Sequence, residues 1–106
     1  MANGETKRSK ADLYAAVLEV LIRYPEGGRI TRLSYGVGLP VDRLRTVIDV
    51  LVSFGLVRQL QDEDKVYYFA TPRGLEFLDT YWKMKGFLAV FDEQKNQQPR
   101  KTKSKD

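Results

Sequence analysis

The segment from Leu39 to Leu78 changes its hydrophobic period twice, and few folds accommodate that order. LPVDRLRTVIDVLVSFG carries apolar residues three and four apart, the period of a helix. LVRQLQ and VYYFA are short and rich in β-branched or aromatic residues, the mark of strands, with DEDK between them. TPRGLEFL then returns to the helical period. A helix, a glycine stop, a tight charged hairpin and a second helix predict a mostly α chain with one small hairpin, an α+β fold.

The rest of the chain supplies the partners. Ser9 with Asp12 three positions later has the form of a capping box, each side chain satisfying a free backbone N–H. A first helix is expected over about 10–24. Leu13, Val17, Leu21 and Tyr24 form its stripe, widened by Ala16, Leu18, Val20 and Ile22. A helix apolar on most sides belongs at the centre of a core. Pro25-Glu26-Gly27-Gly28 ends it. Arg29-Ile30 reads as a short third strand, Thr31 as the cap of a second helix over 32–37, and Gly38-Leu39 as a turn. Pro40 suits the start of the third helix, where a missing N–H costs nothing. In that helix Leu44, Ile48 and Leu51 share one face with Val47 and Phe54 beside them. Asp42, Thr46, Asp49 and Ser53 share the other, flanked by Arg43 and Arg45. Gly55 has the place of a left-handed C-cap, 61–65 the place of the hairpin turn, and Thr71 with Pro72 the start of the fourth helix.

That last helix is expected over about 72–91, roughly 30 Å at 1.5 Å per residue, longer than the core of so small a domain needs. Leu75, Leu78 and Trp82 make one stripe. Phe77, Tyr81, Met84, Leu88 and Phe91 make a second, spaced like a coiled-coil seam. The first stripe is expected on the parent domain and the second on a partner. A single wide core face is the alternative.

Composition narrows the chemistry. With 106 residues the chain has room for one core. It has no cysteine and no histidine, so disulfides, Ser-His and Cys-His nucleophiles and nearly every zinc site are excluded. No phosphate loop of the G-x-x-x-x-G-K-[ST] kind is present, and Gly36-Val37-Gly38 reads as a turn. No catalytic residue, metal site or cofactor is expected, and the chain is not read as an enzyme. The polar beginning and lack of a long apolar run predict no secretory leader and no membrane span, hence a cytoplasmic protein.

The net charge of +4 is unevenly placed. Lys7, Arg8 and Lys10 against Glu5 leave +2 in residues 1–10. Lys95, Arg100, Lys101, Lys103 and Lys105 against Glu93 and Asp106 leave +3 in residues 93–106. Ten Lys/Arg against eleven Asp/Glu leave −1 between them. Residues 1–10 and 93–106 therefore read as basic disordered tails. They supply sequence-independent attraction to nucleic acid or simply solubility.

Gly55-Leu56-Val57, the hairpin, and Tyr68-Phe69-Ala70-Thr71-Pro72-Arg73-Gly74-Leu75-Glu76-Phe77-Leu78 resemble the winged-helix signature G-L-[IV]…Y-x-[LI]-T-x-x-G-x-x-[FL]-L. The chain is similar, over about 11–91, to small archaeal winged helix-turn-helix DNA-binding proteins that dimerise through a long C-terminal helix, PadR-like in the broader sense. The multiple-antibiotic-resistance-type regulators share parts of the pattern. The resemblance implies a winged-helix domain over 11–71, a dimerisation helix over 72–92, and a homodimer on double-stranded DNA acting in transcription regulation. It places the third helix in the major groove, with Arg43, Arg45 and Thr46 toward the bases or phosphates. Arg32, Ser34 and Tyr35 would contact backbone phosphates, and Arg58 would join either patch. The dimer contacts would be Phe77, Tyr81, Met84, Leu88 and Phe91. Two departures stand out: Ala70 replaces the usual Leu or Ile, and the turn at 61–65 carries three acids and one lysine. Those departures, with the neutral body and the strand aromatics Tyr67 and Phe69, keep open a protein-interaction or DNA-segregation adaptor module.

Overall fold

The computed structural model describes the backbone of residues 9–105 and the side chains of residues 9–89. In chain order the elements are α1 (Lys10–Leu21), α2 (Ile30–Val37), α3 (Val41–Ser53), β1 (Val57–Asp62), β2 (Lys65–Ala70) and α4 (Pro72–Lys105). This is the expected α+β architecture, and the boundaries shift for identifiable reasons.

α1 begins with the capping box read from sequence. Ser9 Oγ accepts from the Asp12 N–H at 3.0 Å, and the Ser9 N–H donates to Asp12 Oδ2 at 3.4 Å. The helix stops at Leu21, not near Tyr24, because the Arg23 and Tyr24 N–H groups tighten onto Val20 and Leu21 carbonyls. α1 is the centre of the core: Ala15, Val17, Leu18, Val20 and Leu21 are all buried. Around it sit Leu33 and Val37 of α2, Leu44, Val47, Ile48 and Leu51 of α3, and Val57 and Tyr68 of the hairpin.

The third strand is a single bridge at Gly28, not a strand at Arg29-Ile30. Gly28 and Tyr68 exchange both N–H···O bonds at 2.9 Å. The chain turns helical immediately afterwards, so Arg29 is the cap of α2 and Thr31 lies inside its first turn. Pro40 likewise takes the cap position of α3, one residue before the first helical residue.

β1 and β2 pair antiparallel from Val57↔Ala70 to Asp62↔Lys65, so only Glu63 and Asp64 form the turn. That is tighter than the five-residue connection expected. Glu63 has φ 59°, a left-handed conformation that favours glycine. Beside the small Ala70, a hollow of about 230 Å³ is lined by Leu21, Ile22, Tyr24, Pro25, Phe69 and Leu75.

The start of α4 is locked to the end of α3. Gly55 has φ 78° and its N–H bonds the Val52 carbonyl, while the Leu56 N–H bonds the Leu51 carbonyl, a Schellman closure. The Thr71 hydroxyl donates to the Gly55 carbonyl at 2.6 Å and accepts from the Gly74 N–H at 3.0 Å. A Cβ on Gly74 would lie 2.2 Å from the Leu56 carbonyl oxygen, so only glycine lets the helix approach this closely. The T-x-x-G spacing is thus a joint between hairpin and helix.

α4 runs on to Lys105 instead of ending near Phe91, so the tail expected to be disordered over 93–106 is helical backbone through Lys105. Gln, Lys, Arg and Glu dominate that stretch and are good helix formers. The basic tail expected over 1–10 lies outside the described residues except for Ser9 and Lys10. Among the described residues no helix is long and apolar enough to cross a membrane.

Candidate nucleic-acid interface

α2 and α3 meet at a turn of defined shape. Gly38 adopts φ 81°, and its N–H donates to the Ser34 carbonyl at 2.9 Å. The Leu39 N–H shares that carbonyl, and the Ser34 hydroxyl donates back to the Leu39 carbonyl. Ser34 is therefore half-buried and shapes the turn, whereas the other residues expected to contact DNA are exposed. Gly36 lies against Val20, where a Cβ would stand 2.8 Å from a methyl carbon. Gly36 and Val37 are helical, and only Gly38 supplies the turn read from that triplet.

Beyond the turn, α3 divides cleanly. Leu44, Ile48 and Leu51 are fully buried and Val47 nearly so. Asp42, Arg43, Arg45, Thr46, Asp49 and Ser53 are exposed. At 100° per residue the acids, Thr46 and Ser53 occupy the middle of that exposed arc, with Arg43 on one flank and Arg45 on the other. Thr46 Oγ1 also donates to the Asp42 carbonyl at 3.3 Å. The ridge is thus acidic and hydroxylated in the centre and cationic at both edges. Such a ridge presents acceptors for a cytosine amino group and two forked donors for guanine or phosphate. Phe54, expected on the buried side, is half-exposed at the end of α3 and meets Tyr14 edge-on at 6.3 Å.

The remaining expected residues are not gathered on α3. Arg32 and Tyr35 line an open groove of about 420 Å³ along α2 with Tyr24, Thr31 and Gly36. Tyr35 is 93% exposed. Arg58 stands on the hairpin, its guanidinium carbon 4.5 Å from the Phe69 ring centre. Sequence reasoning missed its counterpart, Arg29, 5.6 Å over the Tyr67 ring. No local sequence signal marks it, because only the long-range bridge Gly28↔Tyr68 brings Arg29 beside Tyr67. Both ion pairs among the described residues, Lys83–Asp79 at 3.2 Å and Lys85–Asp12 at 3.7 Å, involve lysines of α4. Every arginine whose side chain is described therefore lacks a carboxylate partner among the described residues.

α4 departs from the two expected stripes. Its face on the domain runs through Gly74, Phe77, Leu78, Tyr81 and Lys85. Tyr81, expected at a dimer seam, is 9% exposed and donates to Asp12 Oδ1 at 2.5 Å. Leu75 and Trp82, expected inside, are about half exposed, although the Trp82 Nε1–H donates to Glu19 Oε2 at 2.5 Å. The reason is polar: Asp12 and Glu19 on α1 offer acceptors that rotate the helix toward Tyr81 and Trp82. The Asp12 carboxyl is held below the usual carboxylate range by the Tyr81 hydrogen bond first and the Ser9 bonds second. The Tyr81 phenol is pushed up to about 12, chiefly by donating to Asp12. Met84 and Leu88 stay half-exposed, and Phe87, absent from the expected seam, is 77% exposed. The side chain of Phe91, expected in the seam, lies outside the described residues.

A family model described as winged helix-turn-helix matches residues 7–88. No curated protein matches the sequence. Among solved structures, the chain is similar to Sso10a-2, a DNA-binding protein from Sulfolobus solfataricus, with TM-score 0.71 and 21% identity over 85% of this chain and 92% of that one. Oxidised MarR from E. coli matches with TM-score 0.66 and 19% identity over 78% and 60%. MepR from S. aureus, solved as a DNA complex, matches with TM-score 0.64 and 10% identity over 90% and 80%. At such identities the likeness is one of fold.

Proposed function

Since this chain belongs to the winged helix-turn-helix family, we propose that it binds double-stranded DNA through α3 as a homodimer, in the manner of a transcription regulator. The observation that carries the reading is the division of α3. Four apolar side chains anchor it to the core, while Arg43, Arg45 and Thr46 stand exposed directly after a tight turn. A helix held so firmly on one side presents its other side with little freedom, which favours base reading. Neither arginine is paired with a carboxylate among the described residues, which leaves both available to guanine or phosphate.

The similar folds include a DNA-binding protein, MarR and MepR caught on DNA, and this supports the same partner here. The exposed strip of Met84, Phe87 and Leu88 on α4 supports the dimer. Tyr81 is committed within the protomer, so the seam begins at Met84, with half-buried Phe77 at its edge. The basic residues of the two ends add affinity without sequence information.

The test is a salt-titrated duplex-binding series on the full chain, using selected and scrambled sequences. Replacing Arg43 and Arg45 together by Ala is expected to abolish the preference for the selected sequence, with roughly 1–3 kcal/mol of discrimination lost per bidentate contact. Residual salt-sensitive binding should remain. Undiminished selectivity in that variant would remove α3 as the reader.

A further inference from the structure

The outer face of the hairpin carries an arrangement that the reading of α3 does not use. The bridge at Gly28↔Tyr68 and the β1–β2 register put two rows side by side on that face. One row is Gly27, Phe69 and Arg58; the other is Arg29, Tyr67 and Leu60. Gly27 has φ 111°, and a Cβ there would stand 2.8 Å from Phe69 Cζ and 3.0 Å from Tyr67 Cβ. The missing side chain leaves room for the Phe69 ring to reach over Gly27. Arg58 then stacks on Phe69 and Arg29 stacks on Tyr67, at 4.5 and 5.6 Å.

Charge changes sign along the same hairpin. The root carries Arg29 and Arg58 with no carboxylate partner among the described residues. The tip carries Asp62, Glu63 and Asp64 against Lys65 alone. A polyanion is attracted to the root and repelled by the tip. Lying over a ring restricts each arginine side chain while both residues stay exposed, so less freedom is lost when either grips an oxyanion.

Resting on the DNA-binding reading above, we propose that the stacked pair Arg29–Tyr67 and Arg58–Phe69 is a sequence-independent clamp on the phosphate backbone of DNA. The wing thus holds DNA by its root and keeps its tip away. The clamp supplies affinity and orientation, while α3 supplies selectivity.

The experiment measures duplex affinity against salt for the wild type, Arg29→Ala with Arg58→Ala, and Phe69→Leu. Each lost phosphate contact lowers the slope of log K against log salt by about 0.9. The double variant should therefore flatten the slope by roughly two such steps, weakening selected and scrambled duplexes by the same factor. Phe69→Leu keeps both charges but frees Arg58, and should weaken both duplexes by a smaller common factor. Should it unfold by circular dichroism, Arg58→Lys, which keeps charge without the planar fork, replaces it with the same expectation. An unchanged slope in the double variant overturns the clamp while leaving the reading of α3 intact. Weakening confined to the selected duplex also overturns it, since that is base contact. A wild type that binds no duplex overturns both readings.

Discussion

The two halves of α4 are built to opposite rules. From Pro72 to Lys85 the helix lies on α1 and the hairpin, capped by Thr71, wedged at Gly74, and tied by Tyr81 and Lys85 to Asp12. From Gly86 on, the described side chains touch little: Phe87, Leu88 and Ala89 are exposed, and a Cβ on Gly86 would meet nothing within 4 Å. One helix is thus a structural joint at one end and an offered surface at the other. The sequence hardly distinguishes them, because each half contains aromatic and aliphatic residues at helical spacing. What separates them is whether another element lies alongside.

Alanine at each of two glycines probes that contrast most strongly. Gly74→Ala forces a methyl group against the Leu56 carbonyl, and backbone cannot yield as a side chain can. A loss of roughly 2–4 kcal/mol in denaturant unfolding is expected. Gly86→Ala should be neutral or stabilising by up to about 1 kcal/mol, because alanine is the better helix former. Equal losses at both sites would show that the outer half is packed as tightly as the inner.

A smaller effect is expected at the joint's polar tie. Tyr81→Phe removes the hydrogen bond to Asp12 and should cost on the order of 1 kcal/mol in urea at neutral pH. Its pH signature is more telling. The Asp12 pKa is lowered by folding, so its contribution is present above the ordinary 3.8 and is lost as pH falls through the folded value. The Tyr81 pKa is raised by folding, so its contribution is present below 10.0 and is lost as pH rises through about 12. Thermal unfolding across pH should show wild type and Tyr81→Phe converging at both extremes. A constant gap between them would mean the bond does not tie α4 to α1.

The least effect on protomer stability, and a clear one on assembly, belongs to the outer half. Met84→Glu puts a charge into the exposed strip without disturbing the core. Light scattering should then report the monomer mass, with the unfolding midpoint of dilute protein nearly unchanged. An unaltered mass would move the partner surface elsewhere, and a large fall in stability would mean that Met84 is packed within the protomer.

Much of the joint was legible beforehand. The Ser9–Asp12 box, the stop at Gly55 and the cap at Thr71 depend on bonds between near neighbours in sequence, so short spacings reveal them. The division of α3 was legible too, because one buried face leaves its opposite to solvent. The arc of α4 that meets its own domain was not. Phe77, Tyr81, Met84, Leu88 and Phe91 keep a regular spacing, yet a helical period gives no absolute angle. Tyr81 turns inward, where Asp12, 69 residues earlier, accepts a hydrogen bond from its hydroxyl. Arg29 was illegible as a partner of Tyr67 for the same reason: Gly28 bridges a strand far along the chain.

By itself, then, the sequence determined the elements, their order, their caps and the polar face of α3, since these follow from local hydrogen bonding and periodic burial. Only the tertiary structure decided the rotation of α4, the approach at Gly74 that leaves no room for a Cβ, and the placing of two arginines over aromatic rings on the hairpin. Those depend on side chains distant in sequence meeting in space, where close packing and the demand that polar groups find partners select one arrangement.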